Sequence, residues 1–322
     1  MSRDELVAVT GGTGFIGRAL SRRLLTEGFR VRVLGRGVPS DPLPGAEYFQ
    51  VDFSDPASLI KALEGADRVV HIAAALFCRS REEFERANTV GTANMVTAVN
   101  SLSSRPRRFV YMSSLAAAGP SPDPDKPRCG GEPESPVSFY GLTKLGGEKA
   151  LSALDPSVER VTLRPPIVYG KKDSGLSTIA RFVKKGIMVN AGSRSNLFSF
   201  VYLDDLVEAV FTALRHPAVN GKTYFICENS VYSWTTFITL LAEGMKVRMP
   251  LMIDAPAPVL IAAGWVSEIA TRIAGKPPVF NRDKAREGSV GNWTCLSTAW
   301  EKDTGWKGWT PLKEGIRLTF GG

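Results

Sequence analysis

Three observations in this 322-residue chain predict a doubly wound α/β fold, a parallel sheet with helices on both faces. Short apolar runs alternate with amphipathic stretches through the first half of the chain. A glycine-rich stretch, Thr10-Gly11-Gly12-Thr13-Gly14-Phe15-Ile16-Gly17, joins the first apolar run to the first amphipathic stretch. Hydroxyl residues end one of the later apolar runs, at Ser113-Ser114, where such a fold keeps its chemistry beyond the strand C-termini.

Taken in order, Leu6-Val7-Ala8-Val9 reads as a strand, and Ile16, Ala19, Leu20 and Leu24 mark one stripe of the helix that follows. Gly11 and Gly12 permit a tight turn with backbone angles closed to side chains. Gly14 lets the main chain approach a pyrophosphate held by unpaired N–H groups at the helix start, with Thr13, Phe15 and Ile16 around it. Gly17 leaves room for the helix to lie close on the strand. Strand, glycine turn and helix in that order predict a Rossmann-type dinucleotide site over residues 1–170. Residues 198–226 rejoin that domain, and most of 171–322 forms a smaller substrate-binding domain.

The second strand, Arg30–Leu34, ends at Gly35-Arg36, where a dinucleotide fold meets the adenosine ribose. No acid lies between this strand and Asp41, and Arg36 suits a 2′-phosphate, so NADP(H) is preferred with NAD(H) as the alternative. The competing reading makes Arg36 a solvent-facing arginine. Tyr48–Phe53 is strand-like, and Asp55-Pro56 caps a helix through Leu63. Arg68–Ala74 reads as a buried strand, residues 81–102 as a helix and Phe109–Ser114 as another strand. The proline- and glycine-rich stretch Gly119–Pro136 reads as a flap over the substrate side. A helix from about Ser138 carries Tyr140 and Lys144 one turn apart, and strand Val161–Arg164 is closed by Pro165-Pro166. Further on, Phe200–Asp205 opens a helix through Leu214, and Lys222–Cys227 is a strand. Ser233 or Thr235 caps a helix to Glu243, and Ala255–Ala274 is apolar with helical spacing. The six tryptophans all lie at or beyond Trp234 and read as core filling.

Composition excludes several classes. A hydrophobic fraction of 43% with 22% charged residues is ordinary for a globular enzyme. The net charge of +8 comes from scattered pairs such as Lys171-Lys172 and Lys184-Lys185, not from a nucleic-acid-binding run. It fits either a solvated surface or attraction for an anionic ligand. Four dispersed cysteines and two histidines offer no metal spacing. No signal peptide precedes the first strand, and the longest apolar stretch, Ala255–Ser267, is too short to span a bilayer, so a cytoplasmic location is expected.

Ser114, Tyr140 and Lys144 form a proton-transfer set. Hydride transfer at a secondary alcohol or ketone needs an acid/base, and a phenol acts near neutrality only where a neighbouring cation stabilises its anion. Lys144 supplies that cation and reaches a nicotinamide ribose; Ser114 holds the substrate oxygen. With the glycine stretch, Asp52, His71–Ala74, Asn88-Thr-Val-Gly-Thr92, Tyr140-Gly-Leu-Thr-Lys144, Leu163–Gly170 and Phe200–Asp205, the chain resembles the extended short-chain dehydrogenases/reductases, or NAD-dependent epimerase/dehydratase family. The resemblance implies that Asp52 and Phe53 meet the adenine and that Ala73 and Ala74 line the dinucleotide. It places Asn88 with the cofactor-binding residues and the carboxamide against Pro166 and Ile167. It further implies a small-molecule substrate and homodimers through the helices near 81–102 and 138–153.

Two departures narrow the expected chemistry. Leu115 and Ala116 stand where sugar 4,6-dehydratases carry an Asp-Glu pair. Phe198-Ser199-Phe200 replaces the Arg-Asp-Phe with which many nucleotide-sugar epimerases hold a diphosphate, with Arg194 or Lys185 as the candidates to substitute for that arginine. The phenylalanines and the apolar Ala255–Ala263 region point to a less polar substrate, as in the 3β-hydroxysteroid-dehydrogenase-like and dihydroflavonol-reductase-like branches. The leading expectation is an NADP(H)-preferring oxidoreductase of a secondary alcohol or ketone. A nucleotide-sugar epimerase using the same triad and a non-catalytic dinucleotide-binding sensor or assembly protein remain alternatives.

Overall fold

A computed structural model describes residues 4–123, 125–191, 193–256, 258, 259, 262, 264, 265 and 282–321. The expected helix over Ala255–Ala274 therefore lies mostly outside the described residues. In chain order the strands are β1 (Leu6–Thr10), β2 (Arg30–Gly35), β3 (Ala46–Gln50), β4 (Arg68–His71), β5 (Arg108–Met112), β6 (Glu159–Arg164), β7 (Ile167–Tyr169), β8 (Ile187–Ala191), β9 (Leu197–Phe198), β10 (Phe200–Tyr202), β11 (Thr223–Phe225), β12 (Tyr232–Ser233) and β13 (Leu251–Ala255). Seven form the main sheet in the order β11-β6-β5-β4-β1-β2-β3, every pair parallel. The chain reverses direction across the sheet between β1 and β4, the switch point at which such sheets open a crevice.

Side-chain alternation along the strands builds two cores. Val7, Val9, Val31, Val33, Val70 and Val110 face helices Phe15–Thr26 and Leu203–Ala213. Ala8, Leu34, Val69 and Phe109 face the layer holding Leu59, Met95, Val99 and Leu151. Fully buried parallel strands carry apolar residues on both faces, which is why these runs are continuous rather than half polar.

Local signals set the boundaries. Asp55 caps helix Pro56–Leu63, its carboxylate accepting from the N–H groups of Ala57 and Ser58. Ser138 caps helix Phe139–Ala150 through Gly141 N–H, and Ser233 caps Trp234–Gly244 through Thr236 N–H. β3 starts and ends earlier than the Tyr48–Phe53 run suggests, which leaves Asp52 and Phe53 in the turn beyond its end. The long helix after residue 81 is interrupted by a π-helical stretch, Glu85–Val90. Small sheets β7–β10, β9–β12 and β8–β13 carry the remainder, around a third core of Tyr169, Phe200, Phe237 and Leu241. Among the described residues no helix is long and apolar enough to cross a membrane.

Candidate active site

A cleft of about 1500 Å³ opens at the C-terminal ends of β1, β2, β4, β5 and β6. Its phosphate side is the glycine turn. Gly11 has φ +68°, and a side chain there would come within 2.9 Å of the Ala73 nitrogen. Gly12 is not strained in that way; a methyl there would press to 2.9 Å on both Val33 methyls. Gly17 closes the turn on itself, since a Cβ would lie 2.2 Å from the Gly11 carbonyl oxygen. Helix–turn contact, rather than helix–strand contact, is what requires this third glycine. Helix Phe15–Thr26 starts at Gly14 with no side-chain cap and no acid in its first turn. Its leading N–H groups and positive dipole end thus suit an anion, and a nicotinamide dinucleotide's pyrophosphate fits there.

Thr13, Gly14, Phe15, Ile16, Arg36, Asp52, Phe53, Ala73, Ala74, Pro166 and Ile167 all line the same cleft. Arg36 is exposed just beyond β2. The nearest following acid, Asp41, is held 2.7 Å from Arg18. Asp52 accepts from Ser54 N–H and hydroxyl at 2.8 and 2.7 Å, which lowers its pKa. Asn88 departs from expectation. It is buried and does not line the cleft; its amide accepts from Ala75 N–H at 2.8 Å and donates to Ala75 O and Thr143 Oγ1. Asn88 therefore fixes the chain beside Ala74 and ties it to the Tyr140 helix instead of touching a ligand.

A second buried relay orders the Ala73 backbone. Thr10 Oγ1 accepts from Ile72 N–H and Ala73 N–H at 3.1 and 3.0 Å and lies 2.7 Å from His71 Nδ1. The hydroxyl hydrogen is then left for Nδ1, so His71 carries its proton on Nε2, 3.1 Å from Thr92 Oγ1. Thr92 in turn donates to Asn88 O. Burial first, and Lys144 second, hold the imidazole neutral with a pKa of about 3.

Ser114, Tyr140 and Lys144 meet at the floor of the cleft. Ser114 caps the short helix Leu115–Ala118 by accepting from Ala116 N–H at 3.1 Å, and it hydrogen-bonds the Tyr140 phenol. Burial pushes the phenol's pKa up and the Glu287 charge adds to this, while the Ser114 hydrogen bond pulls it down. Lys144 is 1% exposed; its ammonium donates to Met112 O at 2.6 Å and sits 4.2 Å from the Tyr111 ring centre. Burial lowers its pKa to about 7, opposed by Glu148. The phenol is thus a protonated donor at neutral pH, and one turn along the same helix Lys144 carries an ammonium that titrates near neutrality.

Sequence reasoning missed the roof over Tyr140. Helix Arg282–Ser289 brings Asp283 to accept from the N–H groups of Phe139 and Tyr140 at 2.8 and 3.3 Å. Glu287 accepts from the Ser138 hydroxyl, and Lys284 Nζ lies 5.1 Å from the Tyr140 ring centre. Lys284, Glu287 and Trp293 all line the cleft. Trp293 is therefore not core filling alone, and Trp265 is 53% exposed. The Gly119–Pro136 stretch is not a flap either. Arg128 is 1% exposed, donates to Pro120 O, Pro133 O and Ser135, and pairs its backbone with Thr294 and Leu296. No described residue of that stretch lines the cleft. Leu76, Phe77, Ile167, Val168, Phe198 and Trp293 give the same cleft an apolar wall. The Ala255–Ala263 contribution falls largely outside the described residues.

The chain matches the model of the NAD dependent epimerase/dehydratase family over residues 7–227. A ceramide reductase of Caulobacter vibrioides is 28% identical over 98% of this chain and 90% of the relative. A 2-alkyl-3-oxoalkanoate reductase of Stenotrophomonas maltophilia is 28% identical over 97% of each. A UDP-glucose 4-epimerase of Vibrio cholerae is 27% identical over 97% of this chain and 94% of the relative. Among solved structures, MoeE5 in complex with UDP-glucuronic acid and NAD aligns with a TM-score of 0.79 at 23% identity, covering 98% and 97% of the two chains. The human epimerase family protein SDR39U1 with NADPH aligns with a TM-score of 0.78 at 20% identity, covering 98% and 99%.

Proposed function

The chain belongs to the NAD-dependent epimerase/dehydratase family of extended short-chain dehydrogenases/reductases, and we propose that it is an NADP(H)-preferring reductase of a ketone carried on an apolar molecule. Its relatives are named reductases, dehydrogenases and epimerases, and the chain is an enzyme of that superfamily. The observation that carries the finer reading is the pairing of a protonated Tyr140 with apolar walls. Phe198 lines the cleft where many epimerases hold a diphosphate with arginine. Without that guanidinium a diphosphate loses the charge-assisted, bidentate bonds of that position, although Arg79, Arg86 and Lys284 line the same cleft. The relatives named ceramide reductase and 2-alkyl-3-oxoalkanoate reductase support an alkyl-bearing substrate.

When bound, a nicotinamide dinucleotide supplies or accepts the hydride. The chain's part is proton delivery and positioning. Ser114 donates to the substrate's carbonyl oxygen. Tyr140 gives its phenolic proton to that oxygen as negative charge grows on it. The Lys144 ammonium, carried one turn along the same helix, stabilises the phenolate that remains. Leu76, Phe77 and Trp293 offer an alkyl-bearing substrate apolar surface beside these groups.

The test follows NADPH consumption with a panel of 3-oxoalkanoates of rising chain length, beside a coupled assay for interconversion of UDP-glucose and UDP-galactose. NADPH turnover improving with chain length is the expected result. Sugar interconversion without net cofactor consumption would overturn the reading in favour of an epimerase.

A further inference from the structure

The β8–β13 sheet presents an apolar outer face with no counterpart elsewhere on the described surface. Its strands run parallel in the register Ile187↔Leu251, Met188↔Met252, Val189↔Ile253. Alternation sends Met188 and Met252 into the third core. It sends Ile187, Val189, Leu251 and Ile253 outward, where they are 49%, 50%, 65% and 45% exposed. Two cross-strand pairs on neighbouring positions make one contiguous patch, since parallel strands lie about 4.8 Å apart. Parallel pairs of this composition are ordinarily covered on both faces. Met249, at the approach to β13, is also exposed.

Charge borders this patch at one edge. Because the strands are parallel, the segments leading into both arrive at the same end of the small sheet. Those segments carry exposed Arg181, Lys184 and Lys185 before β8 and exposed Lys246 and Arg248 before β13. Against these five cations stand Glu243 and Asp254, and Asp254 is already held by Arg194 at 2.8 Å and Asn190 at 2.7 Å.

We infer that this face seats on the surface of an anionic phospholipid bilayer. The aliphatic patch enters the boundary between headgroups and acyl chains, and the lysines and arginines meet the lipid phosphates. A second copy of the chain suits the face less well. A face-to-face dimer would carry the lysines of both copies into or beside the contact, and protein interfaces are depleted in lysine. The inference is independent of the reaction proposed above and is tested without substrate or cofactor.

The full-length protein is sedimented with vesicles of pure phosphatidylcholine and with vesicles that are one-third phosphatidylglycerol. Binding is expected to the anionic vesicles, at least about tenfold tighter than to the neutral ones, and weakening as salt is raised. Lys184→Gln with Lys185→Gln should reduce it by about fivefold per residue, from roughly 1 kcal/mol each. Leu251→Ser with Ile253→Ser should reduce binding to both vesicle types by about tenfold or more. Unchanged melting temperature and NADPH affinity establish that the variants fold. Absence of binding to anionic vesicles, or binding indifferent to both pairs of substitutions, overturns the inference. So does a dimer in sedimentation velocity that the serine pair dissociates while vesicles bind neither form.

Discussion

Tyr140 is buried where its phenol resists ionisation, and Lys144 where its ammonium is easily lost. Both shifts arise mainly from removal of water, so each group is nearer its neutral form than it would be on a surface. For a proton donor that is the useful state. Tyr140→Phe removes the proton and the Ser114 hydrogen bond but little volume. Its turnover should fall by about 10²–10⁴-fold with NADPH affinity within about twofold, measured by steady-state kinetics and direct titration. Retained turnover would dismiss Tyr140 as the acid. The proposed cofactor preference is tested at the same scale, at Arg36. The guanidinium just beyond β2 lines the cleft, Asp41 is engaged by Arg18, and such a charge suits a 2′-phosphate. Arg36→Ala should weaken NADPH by about ten- to a hundredfold and leave NADH nearly unchanged. Equal losses for both would show that the arginine stacks on adenine instead. Tyr140 and Lys144 were legible because a four-residue spacing declares a shared helix face. Asp283 was not, since its contact with Phe139 crosses 144 residues of sequence.

The elements behind the site depend on one neutral imidazole. His71 joins β4 to Thr10 at the end of β1 and to Thr92 on the helix behind it. Its folded pKa of about 3 lies below the ordinary 6.5, so the unfolded chain binds a proton that the folded chain refuses. Stability tied to His71 is therefore complete above pH 6.5 and is lost as pH falls towards 3, by about 1.4 kcal/mol per unit. Glu228 works in the opposite sense. Burial raises it to about 7, so the folded state takes up its proton first, and its contribution grows as pH falls from 7 to 4.5. Comparing variants isolates the histidine. His71→Gln should cost about 1–3 kcal/mol at pH 7, and that deficit should shrink steadily between pH 6.5 and 4.5 in urea unfolding. A deficit independent of pH would mean that His71 takes up its proton equally in the folded and the unfolded chain. At this scale the strands were readable from their apolar runs. The Gly119–Pro136 stretch was misread because its composition resembles a mobile loop, whereas buried Arg128 staples it to Thr294 and Leu296.

Across the whole molecule, the division of labour that fading alternation suggested conceals how far the C-terminal stretch reaches back. Trp300 is fully buried in the core that holds Val7, Val9 and Leu20, its ring edge-on to Tyr224 at 5.2 Å. Lys222 pairs with Asp303 at 2.8 Å, and Asp205 accepts from Thr310 N–H and hydroxyl at 2.6 and 2.9 Å. These contacts join sequence positions about 80 to 300 residues apart, which no local pattern encodes, so the tryptophans could be read as core but not as whose core. They also make the first strand's stability depend on the last segment. Trp300→Ala should cost about 3–5 kcal/mol through lost burial and the cavity left behind. If the molecule unfolds as one unit, that loss must appear equally at β1, although Trp300 is nearly 300 residues away in sequence. Two measurements test this: tryptophan fluorescence through urea unfolding, which reports only residues 234 and beyond, and native-state hydrogen exchange at Leu6–Thr10. The fluorescence midpoint and the β1 amide protection should fall by the same free energy. A lowered midpoint with β1 protection unchanged would show that the sheet holds without its C-terminal packing, and that the two parts fold separately.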